Sequence, residues 1–107
     1  MFKYITRQEE LLLLAILHLS DNAYGMSIKR HIEQVTDEKW SFGAIYAPLS
    51  RLLKKGLVAS TTGAPTPERG GKSKVFYTLT DRGREELRNA KRVHDASWGT
   101  LTLAGLE

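Results

Sequence analysis

The sequence predicts a mainly α-helical domain with one small β-hairpin, and its 107 residues allow no second domain. Apolar residues at helical spacing predict three helices, and two short segments rich in β-branched residues then predict the hairpin. A fourth helical segment follows. We expect residues 1–80 to form the body and residues 81–107 to form a C-terminal helix, together in one compact unit.

The first predicted helix begins after Thr6, because Thr6 and Glu9 have the spacing of a capping box, and it runs to about Leu19. Apolar residues 11–17 cover every side of this helix. A domain of this size covers only one face of such a helix from within, so the excess apolar surface predicts a homodimer contact.

The second helix is predicted from Tyr24 to about Asp37. The third begins after Ser41, its N-cap, and ends at Gly56, because glycine is preferred at the left-handed position that closes a helix. Its inward apolar stripe comprises Ile45, Leu49, Leu52 and Leu53. The opposite face carries small side chains near the start of the helix and basic side chains near its end. We therefore take it as the candidate functional face.

Two strands are predicted at residues 57–61 and 75–80 from their β-branched and aromatic residues. The connection between them, residues 62–73, is rich in glycine and proline and long for a hairpin, which is typical of functional loops. Thr80 is predicted to cap the last helix. The thin apolar seam of that helix comprises Leu87, Ala90, His94, Trp98 and Leu101.

The net charge of +4 is concentrated in the middle of the chain. Residues 41–80 carry six bases against Glu68 alone, or +5, whereas residues 1–40 carry −1 and residues 81–107 carry zero. A polyanion is the natural partner of such a segment, and a solvated charged face is the alternative interpretation. The longest apolar run has seven residues, against about 20 for a membrane span, and we expect a cytoplasmic protein without a membrane partner.

Patterns typical of catalysis or metal binding do not occur in the sequence. The histidines, His18, His31 and His94, lack metal-ligand spacing, and the chain has no cysteine, so we expect no metal and no cofactor. No nucleophile elbow and no acid–base constellation stands out. The chain is therefore predicted not to be an enzyme.

Three helices followed by a hairpin with a basic tip is the order of a winged helix-turn-helix, in which the third helix enters the major groove of DNA. Arg51 and Tyr46 can reach phosphates or base edges, although the Tyr46 ring can instead be a half-buried packing residue. The alternative function is a protein-interaction module whose basic hairpin binds an acidic partner protein. The predicted DNA-binding residues are Ser41, Gly43, Ala44, Tyr46, Ala47, Ser50, Arg51 and Lys54 on the helix and Arg69, Gly70, Lys72 and Lys74 on the hairpin.

Several short blocks of sequence, each weak alone, are specific in combination. They are Tyr24-Gly25 followed by Ile28, Gly43-Ala44-Ile45-Tyr46, Lys55-Gly56-Leu57-Val58, Arg69-Gly70-Gly71-Lys72, and Tyr77-Thr78-Leu79-Thr80-Asp81-Arg82-Gly83. Together they resemble the PadR family of bacterial transcriptional regulators over about residues 8–90. The resemblance implies a homodimeric repressor that binds an inverted-repeat operator in double-stranded DNA, with residues 41–54 as the recognition helix and residues 69–74 as the wing.

The resemblance also implies that the single C-terminal helix packs on the first helix of the other subunit. The predicted dimer contact comprises Leu11, Leu12, Leu14, Ala15, Leu87, His94, Trp98 and Leu101. Trp98 is placed where some family members stack flat aromatic or hydrophobic effectors, and plain packing is the alternative role of its ring. One departure is Ala47-Pro48, where many members have proline directly after the tyrosine; Pro48 is expected to remove one helical hydrogen bond and to bend the helix.

Overall fold

The computed structural model describes residues 4–63 and 73–107. These residues form four α-helices and one antiparallel two-stranded sheet, which confirms the predicted fold class. Short 3₁₀ turns follow the first helix at Ser20–Asn22 and end the chain at Leu103–Leu106. The elements are α1 Arg7–Leu19, α2 Gly25–Thr36, α3 Phe42–Lys54, β1 Val58–Thr62, β2 Val75–Leu79 and α4 Asp81–Trp98.

Three helix starts follow from side-chain caps that the sequence predicts. The Thr6 hydroxyl accepts from the Glu9 amide at 3.1 Å, and the Glu9 carboxylate accepts from the Thr6 amide at 2.8 Å, so the capping box is complete. Ser41 accepts from the Ala44 amide at 3.1 Å at the start of α3, and Thr80 caps α4 in the same way. These bonds satisfy backbone donors that a helix leaves open at its first turn.

The core forms where α1 packs against α2, α3, β2 and the first part of α4. Leu12 and Ala15 of α1 are fully buried inside the protomer, so they have no surface to offer a partner. This corrects their assignment to the dimer contact, since a helix that is apolar all round does not reveal which side its own core covers. Other fully buried residues are Leu13, Ile28, Ile45 and Leu52.

Helix α3 continues as one α-helix through Pro48, whose ring lies on the buried side. Pro48 has no amide hydrogen, so the helix lacks the bond that the Ala44 carbonyl would otherwise accept. At its other end, Gly56 adopts the predicted left-handed conformation with φ of +74°, and the Leu57 amide donates to the Leu52 carbonyl at 3.0 Å. The chain enters β1 directly after this turn.

The hairpin is attached to the start of α2 as well as to its own neighbours in sequence. The register pairs Val58 with Leu79 and Thr62 with Val75. Strand β2 also forms a bridge to Tyr24, and the Tyr77 amide donates to the Ala23 carbonyl at 2.8 Å. The base of the hairpin is therefore held against the helix-turn-helix.

Helix α4 is mostly exposed, although its middle borders Ile5 and Glu10 at the start of the chain, and the described chain measures 53 × 31 × 21 Å. Gly83 is its one buried residue, and only glycine fits there because a Cβ would overlap the Leu57 carbonyl oxygen. Leu87 packs on the core, whereas His94 and Leu101 are exposed. No helix in residues 4–63 and 73–107 is both long enough and apolar enough to cross a membrane.

A buried carboxylate joins the first turn of α1 to the end of α3. Glu9 is 0% exposed, and the Lys55 ammonium donates to its Oε2 at 2.7 Å. Burial alone would raise the pKa of Glu9, but the hydrogen bonds from Lys55 and from the Thr6 backbone hold that pKa below its usual value of 4.5. The ion pair spans elements 46 positions apart in sequence.

Replacing Glu9 with glutamine is expected to lower the free energy of unfolding by about 2 kcal/mol at pH 7, because Lys55 loses its buried partner. The folded-state pKa of Glu9 is lowered, so its stabilisation is present above pH 4.5 and is lost as the pH falls through the folded value. Urea unfolding at neutral and acidic pH measures this effect. A difference between wild type and Glu9→Gln that stays constant down to strongly acidic pH would contradict the assignment.

Candidate nucleic-acid interface

The outer face of α3 brings together every residue that the sequence assigns to DNA binding on this helix. The buried stripe of α3, Ile45, Leu49 and Leu52, faces the core, which leaves the opposite face open to solvent. The N-cap and the small residues lie near the start of this face, and the cations lie near its end. The exposed set comprises Ser41, Gly43, Ala44, Tyr46, Ala47, Ser50, Arg51 and Lys54.

The two cations of this face are available to bind an anion. Within residues 4–63 and 73–107, neither Arg51 nor Lys54 forms a salt bridge. Arg51 and Ala47 line an open groove of about 690 Å³ that runs between α3, the start of α1 and the segment before α3. Small side chains allow close approach of a rod-like partner here, while arginine provides donors that suit phosphate or guanine.

The turn between α2 and α3 is held by the side chain of Glu33. Its carboxylate accepts from the Trp40 amide at 2.8 Å and from the Lys29 ammonium at 3.1 Å. The backbone bond from Trp40 is the main reason that the pKa of Glu33 lies below its usual value. The Trp40 indole also donates to Thr36 at 3.2 Å. These contacts set where α3 begins and therefore where its outer face points.

Lys74 is the one predicted wing residue that lies within the described chain. Its ammonium sits 4.2 Å from the centre of the Tyr24 ring, at the start of α2, in a cation–π contact. Its carbonyl accepts from the Gly63 amide at 2.7 Å, which closes the base of the hairpin. The other three wing predictions, Arg69, Gly70 and Lys72, fall outside the described residues, so the tip of the wing stays a prediction.

Tyr46 is partly packed and partly exposed, so both of the roles that the sequence leaves open for it remain predictions for this ring. Its side chain is 45% exposed and stacks on Phe42 with ring centres 6.2 Å apart, while its hydroxyl lies against Gly25. A Cβ at Gly25 would overlap that hydroxyl, so this glycine makes room for the tyrosine. Gly25 and Tyr46 each belong to a sequence block that resembles the PadR family, but the sequence does not show that these two blocks are in contact.

A second apolar surface lies away from this face, on α1 and α4. Leu11 and Leu14 are half-buried and Leu17 is 47% exposed on α1. On α4 the His94 and Trp98 rings lie 6.1 Å apart, and Leu101 beyond them is exposed. The described residues contain no cluster of three or more side chains of the kind that hold a metal ion.

Comparison with known proteins gives one family and a set of similar folds. The sequence profile of the transcriptional regulator PadR-like family matches residues 13–89. The crystal structure of a PadR-like transcriptional regulator from Bacillus cereus is 28% identical, with a TM-score of 0.67 over 87% of this chain and 82% of that one. A PadR family transcription regulator from Clostridium difficile is 26% identical, with a TM-score of 0.59 over 84% of this chain and 85% of that one.

A third structure, RosR from H. salinarum, is similar in fold alone. It is 23% identical, with a TM-score of 0.69 over 92% of this chain and 81% of that one. A search of curated proteins finds no match. The family match and the similar folds thus cover the helix-turn-helix, the hairpin and the first half of α4.

Proposed function

The chain belongs to the PadR-like family of transcriptional regulators, and from that premise we propose that it is a homodimeric repressor that binds specific double-stranded DNA. The observation that carries the proposal is the outer face of α3. Eight residues chosen from the sequence for DNA binding lie exposed together on it, and its two cations have no salt-bridge partner among the described residues. Lys74 adds a further cation from the hairpin.

In the proposed complex, α3 lies in the major groove and the hairpin flanks the neighbouring backbone. Ala44 and Ala47 let the helix approach the base edges, and Arg51 and Lys54 contact phosphates or guanine. Two protomers related by a twofold axis read two half-sites about 34 Å apart, which requires an inverted-repeat operator. Occupancy of a promoter by this dimer represses transcription.

The salt dependence of DNA binding tests this proposal. Counterion release predicts a slope of log K against log salt near −0.9 per neutralised phosphate, so a dimer with six or more contacts loses about a thousandfold in affinity between about 50 and 200 mM salt. Arg51→Gln is expected to make the slope shallower. Arg92→Gln, on the solvent side of α4, serves as the matched control. A shallow slope in wild type contradicts the proposal and favours the acidic protein partner.

Selection of bound fragments from random double-stranded DNA tests the symmetry of the complex. We expect the selected sequences to contain an inverted repeat, because each protomer presents one recognition helix. Selected sequences without twofold symmetry would contradict the dimeric arrangement.

We also propose that a small flat aromatic or hydrophobic effector releases the DNA by stacking on Trp98 between two protomers. The Trp98 ring is half-buried at the far end of α4, beside His94. An effector shifts the equilibrium only as far as it prefers the dimer geometry of low DNA affinity.

Fluorescence titration with flat aromatic compounds tests the effector site. Trp98 and Trp40 are the two tryptophans of the chain, so Trp40→Phe and Trp98→Phe separate their signals. We expect saturable quenching in wild type and Trp40→Phe and its loss in Trp98→Phe. The absence of saturable quenching in wild type contradicts the effector proposal and leaves DNA binding unaffected.

A further inference from the structure

A pocket of about 340 Å³ lies between the start of α2, the first half of α3 and the start of β2. Its polar side chains are four hydroxyls and one ammonium, and no carboxylate lines it. A site that offers hydrogen-bond donors and a cation without an acid is suited to an anion. The lining residues are Tyr24, Gly25, Met26, Phe42, Tyr46, Ser73, Lys74, Val75 and Tyr77.

Tyr77 is the residue that most clearly indicates a ligand. Its side chain is 8% exposed, and its hydroxyl has no hydrogen-bond partner in the part of the chain that the structure describes. Burial raises the pKa of Tyr77, and the nearby Tyr46 adds to the rise, so the phenol stays protonated and remains a donor. No buried side-chain oxygen among the described residues lacks a partner, so the Tyr77 hydroxyl borders the solvent of the pocket, where a ligand can reach it.

The first turn of α2 contributes two more donors. The amides of Gly25 and Met26 have no acceptor among the described residues, and both residues line the pocket. The start of a 12-residue helix also carries partial positive charge. Because Gly25 lacks a side chain, the Tyr46 hydroxyl lies directly against this turn.

Lys74 supplies the cation of the pocket. Its ammonium lies 4.2 Å from the centre of the Tyr24 ring and forms no salt bridge within residues 4–63 and 73–107. Strand β2, which begins directly after Lys74, is tied to the segment before α2 because the Tyr77 amide donates to the Ala23 carbonyl at 2.8 Å. The donors from α2, α3 and β2 are thus held in one arrangement before any ligand binds.

We propose that this pocket is an oxyanion site that takes one phosphate of the DNA backbone, with the Tyr77 hydroxyl as one donor to it. The inference rests on the proposed DNA-binding function and assigns one of its contacts. Tyr46 and Phe42 belong both to α3 and to the pocket wall, so a strand that borders α3 in the major groove passes over the pocket mouth. On this assignment the Tyr46 hydroxyl contacts backbone and reads no base.

The test compares Tyr77→Phe and Lys74→Gln with wild type in binding to duplex DNA of random sequence, followed by fluorescence anisotropy. We expect Tyr77→Phe to weaken binding about tenfold on all sequences, because a hydrogen bond to a charged phosphate is lost. Its melting temperature is expected to stay close to that of wild type, since the hydroxyl forms no hydrogen bond within the described residues. Lys74→Gln is expected to weaken binding and to lower the salt slope by about one phosphate.

Arg92→Gln is the control for loss of one positive charge far from the pocket, and we expect it to leave affinity within about twofold. Tyr77→Phe that binds random DNA as tightly as wild type overturns the inference while the proposed function stands. If the wild-type protein binds no DNA, both the inference about the pocket and the proposed function are wrong.

A second experiment uses inorganic phosphate at constant ionic strength. It distinguishes a site for the DNA backbone from a site for free phosphate. Competition between phosphate and DNA in wild type, reduced in Tyr77→Phe, supports a site that the DNA backbone occupies. Phosphate binding that depends on Tyr77 but leaves DNA affinity unchanged overturns the assignment to DNA and identifies a site for the free anion.

Discussion

Replacing Ala47 with glutamate is expected to reduce DNA affinity by about 100-fold or more, because in the proposed dimer the change acts twice. Ala47 lies in the middle of the exposed face of α3, where the proposed complex brings the helix closest to the DNA. Glutamate adds both bulk and a negative charge opposite the phosphates. Since Ala47 takes no part in the core, the melting temperature is expected to change little.

Ala96→Glu is the matched control for this substitution. Ala96 is also an exposed alanine within a helix, but it lies on the side of α4 that faces away from the Leu87 and Trp98 seam. Filter binding or anisotropy with a selected operator compares the two variants. Equal affinity of Ala47→Glu and Ala96→Glu would show that α3 does not face the DNA.

Replacing Trp98 with alanine is expected to convert the proposed dimer into folded monomers. A central aromatic side chain at an interface contributes about 2 kcal/mol or more, and two copies raise the dissociation constant of the dimer by about 1000-fold. Trp98 is not part of the protomer core, so its loss leaves the fold intact. Operator affinity is expected to fall when the dimer dissociates, because a single helix-turn-helix reads only one half-site.

Sedimentation velocity measures the oligomeric state, and circular dichroism checks the fold. The control is Val35→Ala, which removes an exposed apolar side chain from α2, far from α4 in sequence and 61% exposed. We expect this control to remain dimeric. A dimer of unchanged stability in Trp98→Ala would place the interface elsewhere.

The helix ends were predictable from sequence because their causes are local. Thr6 with Glu9, Ser41 with Ala44, and Gly56 each act within a few residues, so a short window of sequence contains the whole interaction. The exposed face of α3 was predictable for a similar reason. Its buried stripe repeats at helical spacing, and the remaining positions must lie on the other side.

Contacts between distant segments were not predictable in this way. Glu9 pairs with Lys55 across 46 positions, and Gly25 makes room for the Tyr46 hydroxyl, but no periodicity links either pair. The unpaired hydroxyl of Tyr77 was missed because a strand tyrosine on the core side looks like ordinary packing. Leu12 and Ala15 were misplaced because α1 is apolar on all sides, so its sequence does not distinguish core from contact surface.

The link between Glu9 and Lys55 has a consequence for the kind of operator this protein tolerates. It clamps the far end of α3 to the first turn of α1, the helix proposed to meet the other subunit. In such a dimer this ion pair helps to fix the orientation of each recognition helix within its own subunit. Inserting a single base pair between the two halves of the operator rotates one half by about 36° and moves it by about 3.4 Å, and we expect this insertion to weaken binding because each recognition helix keeps its orientation within its subunit.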